Sequence, residues 1–227
     1  MDQISAHYLD SSANRIEDKI IDSRWEHLAR AQVRRRHALG WLAAMAMCSL
    51  LWIDSAWPEA SIQNQGLEWL GLALIFLAVL GRAACMLYVG GRKGSDLVAD
   101  GPYSISRNPL YVFSMLAVLG IGLQTGSLTI GLGFTAVAYL IFRWIVREEE
   151  ILLSLAFGKD FDAYCKTVPR FFPRFSLWQS PQRVIVDLPG IWRTVRDALP
   201  YFLAVPVFEL IEAAQRAGWV HVYVSLF

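Results

Sequence analysis

The sequence predicts an all-α protein, a polytopic bundle of four to five membrane-spanning helices with a helical cap on the cytoplasmic side. Three observations support this fold class. Of the 227 residues, 55% are hydrophobic and nine are Trp, and the mean hydropathy of +0.37 exceeds that of an ordinary soluble domain. The apolar residues are gathered into long runs, and Lys and Arg are concentrated in alternate connections between those runs.

Four apolar runs predict the membrane spans. The first, residues 38 to 57, is long enough to cross roughly 30 Å of hydrocarbon at about 1.5 Å per residue. The later runs cover residues 67 to 89, 110 to 123 and 127 to 146. The third run is the shortest, and only the connection QTGS separates it from the fourth. These two spans are therefore expected to form an antiparallel hairpin.

The distribution of positive charge predicts the orientation in the membrane. The connections 58 to 66 and 124 to 127 contain neither Lys nor Arg, whereas the other side holds Arg34 to Arg36, Arg92, Lys93, Arg107 and the bases after residue 146. Because cytoplasmic connections are enriched in these residues, four spans with a cytoplasmic N-terminus in the inner (plasma) membrane are expected.

The segments outside the spans define three regions. Residues 1 to 37 predict a cytoplasmic or interfacial helix without the pattern of a signal peptide, and residues 38 to 175 form the membrane core. Within that core, the stretch after residue 147 predicts two short cytoplasmic helices, broken at Gly158 and ended by Pro169. Residues 176 to 227 form an extension that contains Pro200 and Pro206, so an interfacial helix competes with a fifth span.

The net charge and the spacing of His and Cys argue against nucleic acid and metal ions as partners. A net charge of +1 gives no general attraction to nucleic acid. The four His show no ligand spacing, and the three Cys form no CxxC pair. Neither a nucleic-acid partner nor a metal site is expected.

Polar residues cluster at the cytoplasmic ends of the second, third and fourth spans. Before the third span, Arg107 lies four residues after Tyr103, and Pro109 occupies the expected first helical position. At the end of the fourth span, Arg143 and Arg147 share a face and three Glu follow. Such a charged run is commonly a solvated surface at the membrane interface. Together with the polar start of the third span, however, it offers hydrogen-bond donors and acceptors for a zwitterionic, hydroxyl-bearing molecule. Arg82 interrupts the second span and either snorkels to the interface or contacts substrate.

The segment from Gly101 to Arg174 resembles the isoprenylcysteine carboxyl methyltransferases and their bacterial and phospholipid N-methyltransferase relatives. The motifs that carry the resemblance appear in order and at similar spacing: Gly101-Pro102-Tyr103, Arg107-Asn108-Pro109-Leu110-Tyr111, Glu149-Glu150, Phe157-Gly158, Tyr164 and Val168-Pro169-Arg170. The chain departs from the pattern at Asn108, where many relatives have His.

The resemblance implies an integral membrane methyltransferase that uses S-adenosylmethionine. The implied cofactor-binding residues are Leu97, Val98, Gly101, Tyr103, Arg107, Asn108, Pro109, Tyr111, Glu149 and Glu150. Arg143, Arg147, Tyr164 and Arg170 are weaker candidates for contacts with substrate. Only one of the two adjacent Glu is expected to touch the cofactor, since neighbouring helical side chains point about 100° apart; the other is expected to pair with Arg147 or Arg143.

The resemblance leaves the methyl acceptor open. Membrane lipids and a lipid-like or hydrophobic acceptor are the expected partners, and its reacting group can be a carboxylate, an amine or a thiol. No catalytic base is assigned, because a carboxylate or thiolate needs none. Two alternatives from other classes are a nicotinamide-dependent membrane reductase related to the sterol reductases and a non-enzymatic membrane scaffold that binds lipid headgroups.

Overall fold

The computed structural model describes residues 53–55, 57, 61–90, 96–219, 221–222 and 224–226, all of which belong to one compact unit, Leu51–Phe227. These residues are mostly helical, which confirms the coarse fold prediction. The predicted N-terminal helix (1 to 37) and residues 38 to 52 of the first predicted span lie outside the described residues.

Two helices are long and apolar enough to cross a membrane, namely α1 (Ile62–Val89) and α4 (Leu128–Thr167). Both begin at a serine whose hydroxyl accepts a hydrogen bond from the backbone three residues on: Ser61 accepts from Asn64 at 3.2 Å and Ser127 from Ile130 at 3.3 Å. Between them lie the short helix α2 (Pro102–Ile105) and the apolar helix α3 (Pro109–Leu123). At 15 residues, α3 is roughly 22 Å long, shorter than the hydrocarbon core.

Glycines allow α1 and α3 to pack closely. A Cβ on Gly71 would lie 2.6 Å from the carbonyl oxygen of Gly120, and a Cβ on Gly120 would lie 2.6 Å from that of Gly71. Farther along α1, a Cβ on Gly81 would collide with the ring of Phe113. Close approach through small residues replaces the hydrophobic driving force that is missing between helices in lipid. Residues 124–127 then turn the chain, and α4 packs against α3, as the hairpin prediction requires.

The stretch after residue 147, predicted to form two short helices, differs from that prediction in one respect. Residues 148 to 157 do not form a separate helix but continue α4 without interruption. No Gly or Pro occurs between residues 134 and 157, so nothing breaks the ladder of backbone hydrogen bonds. The kink falls at Gly158, which has φ +51°, and α4 ends before Pro169, both as predicted.

The C-terminal extension contains α5 (Leu188–Ala198), a 3-10 segment (Leu199–Leu203) and α6 (Ala204–Arg216). With 13 residues, α6 is about 20 Å long, which is too short for a span. Helix α5 packs against α1 and leaves Leu188 and Trp192 exposed. This arrangement favours the interfacial interpretation of the extension.

One small element accompanies the helices of this all-α fold. A parallel pair of three-residue strands, β1 (Ile53–Ser55) and β2 (Val224–Leu226), joins the end of the first predicted span to the C-terminal extension. The two extended segments satisfy each other's backbone hydrogen-bonding groups.

Candidate functional site

The site begins with a tight turn that leads into α2. Gly101 has φ +58°, a left-handed conformation that favours glycine, and a Cβ there would meet the ring of Tyr88. Its backbone N–H donates to the carbonyl oxygen of Gln179 at 2.7 Å. The turn therefore needs glycine for both its dihedral angle and the space beside Tyr88, which explains the start of the Gly-Pro-Tyr motif.

Residues 168 to 180, called the cap segment below, run along α2 and hold it against the start of α3. Arg107 N–H donates to the carbonyl oxygen of Pro169 at 2.8 Å, and Arg174 N–H donates to that of Ile105 at 2.9 Å. The buried hydroxyl of Ser106 donates to the carbonyl oxygen of Phe171 at 3.0 Å. Two motifs sixty residues apart in the sequence thus form one surface.

Asn108 helps to join these two motifs. Its side-chain Nδ2 donates to the carbonyl oxygen of Arg170 at 3.1 Å. It precedes Pro109 at the start of α3, yet its side chain makes no capping hydrogen bond to the helix. The amide is used to fix the cap segment at the residue that carries the Arg170 side chain.

Glu150 lies at the centre of an ion-paired triad. Its Oε1 is 3.0 Å from Nη1 of Arg107, and it also accepts from Arg170, whose Nε lies 3.1 Å from Oε1 and whose Nη2 lies 2.5 Å from Oε2. The side chains of Glu150 and Arg107 are only 12% and 14% exposed, whereas that of Arg170 is 34% exposed. The partners of Glu150 are thus Arg107 and Arg170, where the sequence had predicted Arg147 or Arg143 for the paired Glu.

The neighbouring acid, Glu149, faces α3. Its Oε1 accepts a hydrogen bond of 2.9 Å from the hydroxyl of Tyr111, whose ring packs against Phe142 with 5.0 Å between centroids. The Arg-Asn-Pro-x-Tyr motif at the start of α3 therefore meets both Glu of α4: Arg107 binds Glu150, and Tyr111 binds Glu149.

The buried Tyr103 and the half-buried Tyr164 lie beside the site and contact each other. The hydroxyl of Tyr164, beyond the Gly158 kink, donates to the backbone carbonyl of Tyr103 at 2.7 Å. Burial raises the pKa of Tyr103 well above its usual range, and the same cause raises the pKa of Tyr164. Both phenols therefore remain protonated at physiological pH and serve as neutral groups.

Two open pockets flank the triad, and Arg170 lines both. The larger, of about 510 Å³, is lined by Arg147, Glu150, Ile151, Ser154, Leu155 and Arg170. The smaller, of about 320 Å³, is lined by Arg107, Tyr139, Arg143, Pro169, Arg170, Phe171 and Phe172. Arg143 and Arg147 are exposed on the walls of these pockets. Sites for small molecules and cofactors commonly measure about 300 to 1,000 Å³.

Most of the residues singled out from the sequence converge here. The structure brings together Tyr103, Arg107, Asn108, Tyr111, Glu149, Glu150, Tyr164 and Arg170, and it starts α3 at Pro109. Leu97 and Val98 are half-buried in the stretch before Gly101, and no hydrogen bond among the described residues joins them to the acidic pair.

Two further polar contacts were not expected from the sequence, one within this cluster and one at Arg82 nearby. Cys165 accepts a contact of 2.7 Å from Nη1 of Arg107, and Ser114 accepts a hydrogen bond of 2.5 Å from Nη1 of Arg82. Ser114 could have been found from spacing, since it follows Tyr111 by three residues and is the polar side chain on the same face of α3.

Comparisons with known proteins place the chain in a family. A family model described as phospholipid methyltransferase matches residues 67–160. The nickel-cobalt-cadmium resistance protein NccN of Alcaligenes xylosoxydans xylosoxydans is 32% identical over 84% of this chain and 90% of its own length. The cobalt-zinc-cadmium resistance protein CzcN of Cupriavidus metallidurans is 33% identical over 84% of this chain and 89% of its own length.

An enzyme of known activity is similar over a shorter region. Human protein-S-isoprenylcysteine O-methyltransferase is 28% identical over 52% of this chain and 49% of its own length. No solved structure matches the chain. The family match covers α1, α3 and the part of α4 that carries both Glu, and the methyltransferase similarity agrees with it, so the chain belongs to the phospholipid methyltransferase family.

Proposed function

We propose that this membrane methyltransferase takes its methyl group from S-adenosylmethionine and transfers it to a lipid-like or hydrophobic acceptor. The observation that carries the proposal is the pairing of both adjacent acids of α4 with the start of α3, Glu149 with Tyr111 and Glu150 with Arg107. All four residues lie within the region that matches the family.

The residues present fit the amino-acid and ribose parts of S-adenosylmethionine. Nε of Arg107 is buried and has no hydrogen-bond partner among the described residues, so this donor suits a carboxylate. The two Glu offer acceptors for an ammonium group and for hydroxyls. The two pockets that flank the triad, about 510 Å³ beside Glu150 and about 320 Å³ beside Arg107, have the size of sites for ligands of this class.

The contacts suggest different roles for the two acids. Glu150 is engaged by two guanidinium groups, so we assign it the positioning of Arg107 and Arg170. Glu149 meets a neutral phenol, and we assign it the direct contact with the cofactor. Tyr111 orients the carboxylate of Glu149 from the α3 side.

S-adenosylmethionine supplies a methyl group on a positively charged sulfur: the acceptor's electron pair forms the new bond to carbon, and the C–S pair leaves with the sulfur. The chain's task is to align the acceptor and to exclude water. The cap segment lies over the start of α3, held by its hydrogen bonds to Ile105, Ser106 and Arg107. Beside it, Tyr164 donates to the backbone of Tyr103 as a neutral group.

The surroundings of the site favour a hydrophobic acceptor. On α1 and α4 large apolar side chains face outward, among them Phe76, Leu80 and Leu140, which are 57%, 53% and 64% exposed. Such a surface suits lipid, and it continues to the cytoplasmic ends of the same helices. Two relatives are named for metal resistance, and modification of a membrane component is compatible with such a role.

Methyl-labelled S-adenosylmethionine added to membranes that contain the protein tests the acceptor class. We expect label in the organic-soluble fraction. Release by mild base identifies a methyl ester, whereas stable label identifies an amine or thiol acceptor. Glu149→Gln membranes serve as the matched control. Label that stays in the aqueous phase would contradict a hydrophobic acceptor.

We further propose that the protein lies in the inner membrane with a cytoplasmic N-terminus and that its active site faces the cytoplasm. Asn64, in the first turn of α1, follows a connection without Lys or Arg, whereas Lys159 lies in a region that also holds Lys166 and Arg170. A topology reporter at Asn64 is expected to read periplasmic and one at Lys159 cytoplasmic. The reverse pair of results would refute this orientation.

The contact of Asn108 predicts how activity depends on pH in variants at this position. Because its amide donates to the Arg170 carbonyl, we assign it a neutral hydrogen-bonding role that His can also fill. Asn108→His should therefore retain substantial activity, and Asn108→Ala should lose activity as the cap segment loosens. The measurement is initial rate against pH for the parent and both variants. A new ionisation in the His variant would indicate proton transfer at this position instead, and an Ala variant equal to the parent would show that Asn108 plays no part.

A further inference from the structure

The smaller of the two pockets beside the triad carries an excess of positive charge. Arg107, Arg143 and Arg170 line it, and no carboxylate does. Arg107 and Arg170 share the single carboxylate of Glu150. Arg143 forms neither an ion pair nor a hydrogen bond with any other described residue. Three guanidinium groups and one carboxylate leave a positive potential in the pocket, which attracts an anion.

The pocket is open on the side of Arg143. Arg143 is exposed, whereas the side chain of Arg107, only 14% exposed, forms the buried end. Leu140, three residues before Arg143 on the same face of α4, is 64% exposed, and Trp144 is 53% exposed. The open end therefore adjoins the apolar outer surface of α4. A molecule lying against that surface reaches Arg143 without passing through the protein.

The remaining walls of the pocket are largely aromatic. Phe171 is buried and packs edge-on against Tyr139, with 5.6 Å between the ring centroids. Phe172, 80% exposed, lies at the rim. Aromatic walls and guanidinium groups together suit a ligand with a negatively charged end and an apolar body, because each part then meets a surface of matching polarity.

Two simpler explanations leave part of this arrangement unexplained. Arg143 lies about 22 Å from the start of α4 at Leu128, near the end of the span predicted for residues 127 to 146, where Arg commonly snorkels to headgroups. Snorkelling accounts for its exposure but not for the pocket it shares with Arg107 and Arg170. Use of the pocket by the cofactor alone leaves Arg143 unneutralised, since the cofactor's single carboxylate is assigned to Arg107.

We propose that the smaller pocket binds an acidic amphiphile, whose oxyanion, a carboxylate or a phosphate, meets Arg143 and whose hydrocarbon lies along Leu140. The planar fork of Arg binds oxyanions through paired hydrogen bonds. That this amphiphile is the methyl acceptor rests on the proposed function, whereas its binding requires no cofactor. The acceptor class is thereby narrowed to acidic amphiphiles, and acceptor and cofactor meet at the buried end of the pocket, beside Arg107.

The test uses purified full-length protein in detergent, without cofactor, and three probes: a long-chain fatty acid, its methyl ester and a phosphatidic acid, each with a photoreactive group next to the polar end. Labelling against probe concentration gives an apparent affinity, and mass spectrometry of the digested protein locates the crosslink. We expect the parent to favour at least one acidic probe over the ester and to be labelled within residues 139 to 143 or 169 to 172. The preferred acid distinguishes a carboxylate from a phosphate source.

Three variants define the contribution of Arg143. Arg143→Gln should weaken the preferred acidic probe by about tenfold, the lower end of the effect of a hydrogen bond to a charged group, because Arg143 is exposed. Arg143→Lys retains the charge but loses the fork, so its affinity should be intermediate. Arg193→Gln is the matched control: it alters an exposed Arg of α5 outside the pocket and should bind as the parent does.

Affinity for S-adenosylmethionine, measured alongside, reports the proposed function separately and should be unchanged in Arg143→Gln. A parent that prefers the acidic probes but does not bind S-adenosylmethionine would refute the proposed function and leave the amphiphile site standing. Equal labelling of the parent by acid and ester, unchanged labelling of Arg143→Gln, or crosslinks confined to other segments would overturn the inference.

Discussion

Replacing either acid of α4 by Gln should weaken binding of S-adenosylmethionine by about ten- to a hundredfold. Glu149→Gln loses a hydrogen bond to a charged group of the cofactor, which contributes about 1.5 to 3 kcal/mol, and Glu150→Gln releases Arg107 from the position in which it meets the cofactor. The two variants should differ in stability. Glu150→Gln leaves Arg107 and Arg170 without their shared carboxylate and should lower the free energy of unfolding by about 2 kcal/mol, a value reduced for the partial exposure of Arg170. Glu149→Gln keeps a hydrogen-bond partner for Tyr111 and should unfold nearly as the parent does.

The neighbouring residue provides the matched control. Glu148 belongs to the same run on α4, so Glu148→Gln makes an identical chemical change outside the paired contacts. Isothermal titration measures the affinity, and thermal unfolding in detergent measures the stability. Parent-like affinity in both Glu149→Gln and Glu150→Gln, with normal folding, would show that the site is assigned to the wrong residues.

A second large effect is expected where α1 and α3 cross. Gly120→Ala places a Cβ 2.6 Å from the carbonyl oxygen of Gly71, a backbone atom that cannot move without shifting the helix. Overpacking of this kind costs about 1 to 3 kcal/mol, and because α3 carries Arg107 and Tyr111, cofactor affinity should fall as well.

Gly133→Ala is the control for this substitution. Gly133 is also a helical glycine, but a Cβ there would have no neighbour within 4 Å. The control should be as stable as the parent or slightly more stable, because Ala is the better helix former by about 0.5 to 1 kcal/mol. A Gly120→Ala protein as stable as Gly133→Ala would contradict the close packing of α1 and α3.

The sequence predicts those parts of the fold that local pattern determines. Apolar runs locate α1, α3 and α4, while Pro109 and Gly158 mark a helix start and a kink through their own backbone preferences. The parallel pairing of β1 with β2 could not be predicted in this way. It joins residues about 170 positions apart, and nothing in either short segment specifies its partner.

The candidate site shows the same limit. The order of the motifs identifies Arg107, Tyr111, Glu149 and Glu150. Which Glu pairs with which partner depends on the rotation of α4 about its own axis, and two adjacent Glu in the sequence do not determine that rotation. Arg82 illustrates the remaining gap. Its position in an apolar run allows snorkelling or a substrate contact, and only the packing of α1 on α3 directs it to Ser114.

In the proposed site, Glu149 and Arg107 hold S-adenosylmethionine, and Glu150 positions Arg107. The most direct test is a titration of the purified protein in detergent with S-adenosylmethionine, S-adenosylhomocysteine and NADPH. We expect saturable binding of the first two at a single shared site and no binding of NADPH. Binding of NADPH alone would instead indicate a reductase, and binding of none of the three would indicate a membrane scaffold.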